Sequence, residues 1–491
     1  MIHNIPEVKL GLIATSRSCF PMTLSARRRS AFAAAYKGDI YECPVTVENE
    51  LDAKSAVQDV VANGVNALIV FLGNFGPETP ETLIAEWFSG PIMYVAAAEG
   101  DGDLHDGRGD AFCGMLNCSY SLGLRGKTAY IPEYPVGSAS ELAAKAEEFV
   151  PIARAVLGLR GLKIIAFGPR PDDFLACNAP IKALYDLGVA VEENSELDLL
   201  AAYNKHTGDA RIPAKVAEME AELGKDNPYG GILPRLAQYE ITLLDWADAH
   251  RGTRQYVAFA NKCWPAFQTE FKFVPCYVNS RLAAAGIPVA CEVDIYGALS
   301  EYIGMCVSGK VTTLLDINNT TPPVIYDKVA GVKCKARLNE TFMGFHCGNT
   351  SCSLLKNPHM GYQLIMKRDL EPDLAEPDIT RGTMEGNIKP GDITFYRLQS
   401  TADTQLKAYV AEGEVIDTDC ESFGSIGMFA IPEMDRFYRH VLIEKRFPHH
   451  GAVAFGHYGR ALFEVFKYLG VTDIGYNQPK SERYPGENPF N

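Results

Sequence analysis

Over residues 9–98 apolar strand-like runs alternate with helical ones, and this rhythm restricts the fold more than any other feature of the chain. "KLGLIAT" (9–15), "DIYECPV" (39–45), "VNALIVFLG" (65–73) and "PIMYVAAA" (91–98) read as strands. Between them "LSARRRSAFAAAYKG" (24–38), "LDAKSAVQDVVANG" (51–64) and "PETLIAEWF" (80–88) read as helices. A βαβα order of this kind predicts a parallel sheet covered on both faces. After a long helical stretch at about 138–157, "LKIIAFG" (162–168) starts a second α/β run. That run continues through "GVAVEEN" (188–194), a helical 212–223, a helical pair around 231–250, "YVAFANK" (256–262) and a helix near 278–285. "VTTLLDINN" (311–319) ends it.

Beyond residue 320 the texture changes. Prolines and glycines become frequent, and short β-like runs ("TFMGFH", "DITFYRLQ", "QLKAYVAEGEV") predict an antiparallel, barrel-like region. A helix over 434–446, a strand "GAVAFG" (451–456) and a helix "GRALFEVFKYLG" (459–470) close the pattern. With 491 residues the chain exceeds what one hydrophobic core organises. The expected fold class is therefore α/β: two open parallel-sheet, Rossmann-like domains followed by a β-rich, barrel-like C-terminal domain.

Net charge is −15, which argues against nucleic acid as a partner, because phosphate binding needs a basic surface. The most basic run, Ala26-Arg27-Arg28-Arg29, lies in a helical pattern and is open to two readings, a solvated face or an anion or sugar contact. No window reaches the roughly 18 apolar residues of a membrane helix, and the N-terminus has no export-signal pattern. The 13 cysteines are scattered singly, without a CxxC pair, as expected of reduced thiols in a cytoplasmic protein.

Chemistry concentrates where strands hand over to helices. In "IPVACEVDIYGALSEYIG" (287–304) an apolar run ends in Glu292 and Asp294 just before a helix. Asp316 ends "VTTLL" in the same way. Ligands of open parallel sheets bind outside the carboxyl ends of strands. If both strands belong to the second α/β sheet, Glu292 and Asp316 share one crevice, whereas Asp294 suits a helix cap. Two close carboxylates call for a cation between them, and carboxylates with one or two imidazoles suit Mn²⁺ or Mg²⁺ better than zinc. Histidine is scarce, ten in all, and His449-His450 precede "GAVAFG" while His346 ends "TFMGFH". Nucleotide-binding glycine motifs and a GxSxG elbow are absent. "DGDLHDGRGD" (101–110) lacks the glycine and glutamate of an EF-hand and reads as a polar loop.

"SRLAAAGIPVACEVDIYGALSEYI", "TTLLDINN" and "PHHGAVAFGHYGRAL" together resemble the L-fucose/L-arabinose isomerase family, and more closely its fucose branch, since the arabinose branch has glutamate where this chain has Asp316. The resemblance implies three domains, here 1–157, 158–310 carrying Glu292, and 311–491 carrying Asp316 and His450. It implies a Mn²⁺-dependent aldose–ketose isomerase, with Mg²⁺ or Co²⁺ as substitutes, assembled as a homo-oligomer, usually a hexamer. Carried over by position, Glu292, Asp316 and His450 are the metal ligands, and the two carboxylates also move protons. L-Fucose, D-arabinose or a related aldose is the implied substrate. The N-terminal region departs from the family, with "IATSRSCFPMTLSARRR" where fucose isomerases carry a Gly-Arg-Arg element. Candidate sugar contacts are Arg17, Trp87 and the 101–110 loop, with Lys262, Trp264, His346 and Asn349. Trp264 is equally compatible with a core role. Two other readings of these residues are a non-catalytic sugar-binding protein and a metal-dependent hydrolase or lyase.

Overall fold

The computed structural model of the chain describes residues 4–105, 108–377 and 379–490. The chain divides into two compact units: Pro6–Leu157 with Lys467–Leu469, and Met1–Ile5 with Gly158–Phe466 and Gly470–Asn491.

The smaller unit holds β1 (Leu10–Thr15), β2 (Ile40–Val47), β3 (Ala67–Leu72), β4 (Ile92–Ala97) and β5 (Val136–Gly137), paired in the order β2-β1-β3-β4-β5. Every pairing is parallel. β1, β3 and β4 are buried at every residue, which only cover on both faces can produce. Helices Met22–Ala35, Glu50–Ala62, Glu78–Trp87 and Ala111–Leu124 alternate with the strands. The strand order reverses between β1 and β3, and Asn74 fills that point. Its Oδ1 accepts from the Arg17 backbone N–H at 3.0 Å, and its Nδ2 donates to Ser16 Oγ at 2.9 Å.

The larger unit begins with a second parallel sheet, made of β6 (Leu162–Gly168), β7 (Ala190–Ser195), β8 (Tyr256–Ala260) and β9 (Val289–Ala290) in the order β7-β6-β8-β9. The helical pair expected around 231–250 is one helix, Leu233–His250, entered through a tight turn at Gly230–Ile232. The remaining strands are β10 (Thr312–Thr320), β11 (Thr341–His346), β12 (Leu355–Tyr362), β13 (Arg381–Ile388), β14 (Gly391–Ser400), β15 (Leu406–Ile416), β16 (Ser425–Ala430), β17 (His450–Phe455) and β18 (Asp473–Tyr476). They form a mixed sheet in the order β12-β13-β16-β11-β10-β17-β14-β15-β18. β15 also pairs with β16, so β16, β11, β10, β17, β14 and β15 close on themselves through antiparallel pairings alone. Closure removes the exposed edges that an open sheet of this length presents.

β10 therefore belongs to the closed sheet and not to the end of the second α/β run. Its neighbours are β11 and β17. Phe342 lies 5.3 Å from Phe429 and 5.7 Å from Phe395 between ring centroids, and Phe395 lies 5.6 Å from Tyr409. Gly451 makes room for this aromatic filling, since a Cβ there would meet Phe395 at 2.1 Å.

Candidate metal centre

Glu292 leaves β9 through a turn that local sequence disfavours. Glu292 and Val293 both take left-handed backbone angles, φ 53° and 57°. That conformation is uncommon for any residue but glycine and rarer for a β-branched valine. The fold holds it by hydrogen bonds on each side: Val293 N donates to Asn261 O at 2.9 Å, and Asp294 N to Cys291 O at 3.0 Å. The helix Ile295–Ser308 follows at once, with Asp294 as its cap, accepting from Gly297 N at 2.9 Å.

Asp316 and His450 arrive from the closed sheet. They face each other directly in the β10–β17 register, one step beyond the Leu315–Gly451 pair. Gly451 stands against Phe395 inside the sheet, so strand alternation turns Asp316 and His450 to the outside. The two carboxylates thus come from different sheets.

The three side chains converge. His450 Nε2 lies 3.3 Å from Glu292 Oε2 and 3.3 Å from Asp316 Oδ1. Both of those oxygens are shut off from water without a hydrogen-bond partner. His450 Nδ1 lies 2.8 Å from Asp294 Oδ2, and Asp294 is gripped by the fully buried Arg397, whose Nη1 and Nη2 each donate at 2.8 Å. Arg397 Nη1 also reaches the His450 carbonyl at 3.2 Å. Asp294 is therefore both the expected cap and the group that orients the imidazole.

The hydrogen bonds give the two central histidines opposite tautomers. In neutral His450, Nδ1–H donates to Asp294 and the Nε2 lone pair faces the two orphaned oxygens. In His346, Nδ1 accepts from the Cys347 backbone N–H at 2.9 Å, so Nε2 carries the proton and faces Glu292 Oε2 at 3.7 Å. A carboxylate behind a histidine is how metal-binding imidazoles are commonly oriented. Among the described residues, Asp316, His346 and His450 bring ligand atoms within 4.8 Å of one another, and so do Cys291, Glu292 and His346, so Glu292 and Asp316 fall in adjoining groups that share His346 rather than in one such group. Carboxylate oxygens with imidazole nitrogens are a donor set that suits Mn²⁺ or Mg²⁺.

Charge follows the same pattern. Burial alone raises the Glu292 carboxyl, but His346 and His450 beside it reverse this and hold it well below the usual carboxylate range. Asp316 is lowered against burial by His450 and His346. Asp294 is lowered against burial by Arg397 and His450. For His450 burial works against the charge, yet Asp294, Asp316 and Glu292 push it well above the ordinary imidazole value.

The loop after β6 covers the cluster. Its Phe174 ring stands 5.5 Å from that of His449 and 6.5 Å from that of His450, with Trp264 at 6.3 Å on the other side. Cys177 Sγ lies 3.8 Å from His450 Nδ1. Trp264 is partly exposed in this wall, not enclosed in core. Lys262 is buried and paired to Glu196 at 3.0 Å. Asn349 is buried three residues past His346, with its Oδ1 unpartnered among the described residues. Arg17 and Trp87 belong to the smaller unit. There the Arg17 guanidinium lies over Phe75 at 4.7 Å and near Glu78 at 3.7 Å, and Trp87 is 42% exposed at the end of its helix. Of the 101–110 loop, Asp106 and Gly107 lie outside the described residues.

Sequence reasoning missed Arg397, Phe174 and Cys177, and it saw only half of the role of Asp294. Arg397 left one signal: a charged residue inside the strand-like "ITFYRLQ" is buried only when it has a partner.

Two family models match the chain. The N-terminal domain of fucose/sulfoquinovose isomerase matches residues 11–160, and the C-terminal domain of L-fucose isomerase matches residues 344–475. Glu292 and Asp316 fall between the two matched stretches. Similar curated proteins are the sulfoquinovose isomerases of Clostridium sp. (strain MSTE9), Alkalicoccus urumqiensis and Priestia aryabhattai. The first is 26% identical over 263 residues, 53% of this chain and 52% of the relative. The second is 22% identical over 319 residues, 64% of each chain. The third is 23% identical over 328 residues, 65% of this chain and 66% of the relative. The chain thus spans about half the length of the first and just under two thirds of the others.

Proposed function

The chain belongs to the L-fucose isomerase-like family, and on that premise we propose that it is a metal-dependent aldose–ketose isomerase acting on a free sugar. The observation that carries this reading is the meeting of Glu292, Asp316 and the Asp294-clamped His450 around two orphaned carboxylate oxygens. Those three residues would hold the ion, Mn²⁺ in this reading with Mg²⁺ or Co²⁺ as substitutes. When bound, such an ion acidifies the proton α to the sugar carbonyl and offsets the negative charge that develops on the oxygens.

The protein's own groups do the rest. Isomerisation moves a proton between C1 and C2 of the open-chain sugar through an ene-diol. Glu292 and Asp316 are both held ionised, so one is ready to take the carbon-bound proton and the other to relay the hydroxyl proton. His346 presents an N–H beside Glu292, positioned to donate to a sugar oxygen or to steady that carboxylate. Phe174 and Trp264 form an apolar wall for the sugar ring or chain and limit water.

The relatives' names add sulfoquinovose to the candidate substrates L-fucose and D-arabinose. The family also supports a cytoplasmic homo-oligomer, a hexamer, and the division into 1–157, 158–310 and 311–491. The test is a panel of aldoses, including these three, incubated with Mn²⁺ and scored for ketose. Ketose formation that stops with EDTA and returns with Mn²⁺ is expected. Sugar binding without any ketose leaves a binding protein instead. Cleavage products, with no solvent deuterium at C1 or C2 of recovered sugar, point to a hydrolase or lyase.

A further inference from the structure

Among the described residues, two cations near the metal cluster are paired and Arg170 is not. Arg397 is bound to Asp294 and Lys262 to Glu196. Arg170 has no hydrogen bond and no ion pair among the described residues; the residue is partly exposed, but its Nε is shut off from water without an acceptor. A guanidinium stays charged in any protein, and an occluded N–H without a partner costs free energy. Its neighbourhood says where a partner comes from. Arg170 follows β6 at the carboxyl edge of the second parallel sheet, where ligands of such sheets bind. A Cβ on Gly168 would stand 3.6 Å from Val293 Cγ1 and 3.7 Å from the Arg170 backbone nitrogen, so this stretch adjoins the strained turn that carries Glu292. The same loop brings Phe174 to His449 and His450, and Cys177 to His450.

We propose that Arg170 is an anion-reading group of this site, and that the aldose it takes carries an oxyanion (sulfonate, phosphate or carboxylate) remote from C1 and C2. The identity of the ligand as an aldose rests on the isomerase reading, whereas the anion site does not. The planar fork of a guanidinium matches two oxygens of such a group. A sugar hydroxyl satisfies one N–H but leaves the charge uncompensated. In the 26–29 run, Arg28 is bound to Glu99 and Asp103 and Arg29 to Glu42, whereas Arg27 is exposed to solvent rather than occluded.

The test has two arms. In the first, kcat/KM is measured for sulfoquinovose, for its neutral counterpart with hydrogen in place of the sulfonate, and for a hexose 6-phosphate and a hexuronate, which separate the three oxyanions. A preference of roughly 10–100-fold for one anionic sugar over the neutral one is expected, the range for a hydrogen bond to a charged group. That preference shrinks toward one in Arg170→Met and survives in part in Arg170→Lys. A parent enzyme indifferent to the anion, or an Arg170→Met variant that loses anionic and neutral sugars equally, overturns the proposal. The second arm is thermal stabilisation by sulfate and methanesulfonate, which needs no turnover. Stabilisation of the parent but not of folded Arg170→Met supports the site, and equal shifts in both overturn it. If no aldose reacts at all, the isomerase reading fails while this arm still decides the role of Arg170.

Discussion

His346 and His450 are both buried beside Glu292, yet a single hydrogen bond each gives them different chemistry. Asp294 accepts from the Nδ1–H of neutral His450 and leaves its Nε2 as the lone-pair nitrogen, whereas the Cys347 N–H donates to Nδ1 of His346 and leaves the ring proton on Nε2. His450→Gln is therefore expected to weaken Mn²⁺ binding at least tenfold more than His346→Gln, as read by the electron paramagnetic resonance of free Mn²⁺. Equal losses would place His346 among the ligands. Asp294→Asn keeps a cap but loses the charge that faces Arg397 and His450. It is expected to lower ion affinity about 10–100-fold and to destabilise the fold by about 3–5 kcal/mol, because Arg397 is left as an unpaired buried charge. Titration with Mn²⁺ and denaturant melts check the two effects separately.

At the scale of single elements, the helix Glu78–Trp87 carries a carboxyl that its sheet does not welcome. Glu81 is fully buried against β1, where Thr15 Oγ1 donates to it at 3.4 Å. Burial pushes its pKa up from 4.5 to about 8, against weaker help from Cys118 and Thr15. Between those values the unfolded chain has released a proton that the folded chain keeps, so stability falls as pH rises through the window. Glu81→Gln removes the penalty. Its melting temperature should match the parent near pH 4.5 and exceed it increasingly toward pH 8. A constant offset across that range would mean that the carboxyl is not the source. The β10–β17 pair shows the opposite situation, where an element depends on a missing side chain. Gly451→Ala pushes a methyl into Phe395 next to His450, and a loss of about 1–3 kcal/mol in denaturant melts is expected.

For the whole molecule, the proposed ligand set joins segments from β9, β10 and β17, 158 residues apart at their extremes by number. The surrounding carboxylates raise the His450 pKa, so a proton competes with an ion for its Nε2. An ion must displace that proton, so affinity rises with pH and proton release accompanies binding. At a hundredfold excess over Kd, Mn²⁺ should stabilise the larger unit by roughly 2–3 kcal/mol. The melting point should rise accordingly, less at acid pH than at pH 8. Calorimetric titration in buffers of different ionisation enthalpy measures the proton released. None of the thirteen cysteines is joined in a disulfide, so no covalent link competes with the ion in holding these segments together.

The chain's periodicity alone established the alternating strands and helices of both parallel sheets and the β-rich texture after residue 320, but not that the antiparallel pairing already begins with β10 at Thr312. Those features depend on neighbours one to four positions away, which a sequence displays directly. The acidic and imidazole residues at 292, 316 and 450 were legible as types in the same way. Only the tertiary structure decided that Glu292 and Asp316 come from separate sheets, that β15 returns to β16, and that Arg397 stands behind Asp294. It also decided the left-handed turn at Glu292 and Val293, against the preference of both residues. Sheet closure, buried ion pairs and histidine tautomers are set by partners tens to hundreds of residues distant, and no local pattern encodes which of many compatible partners is chosen.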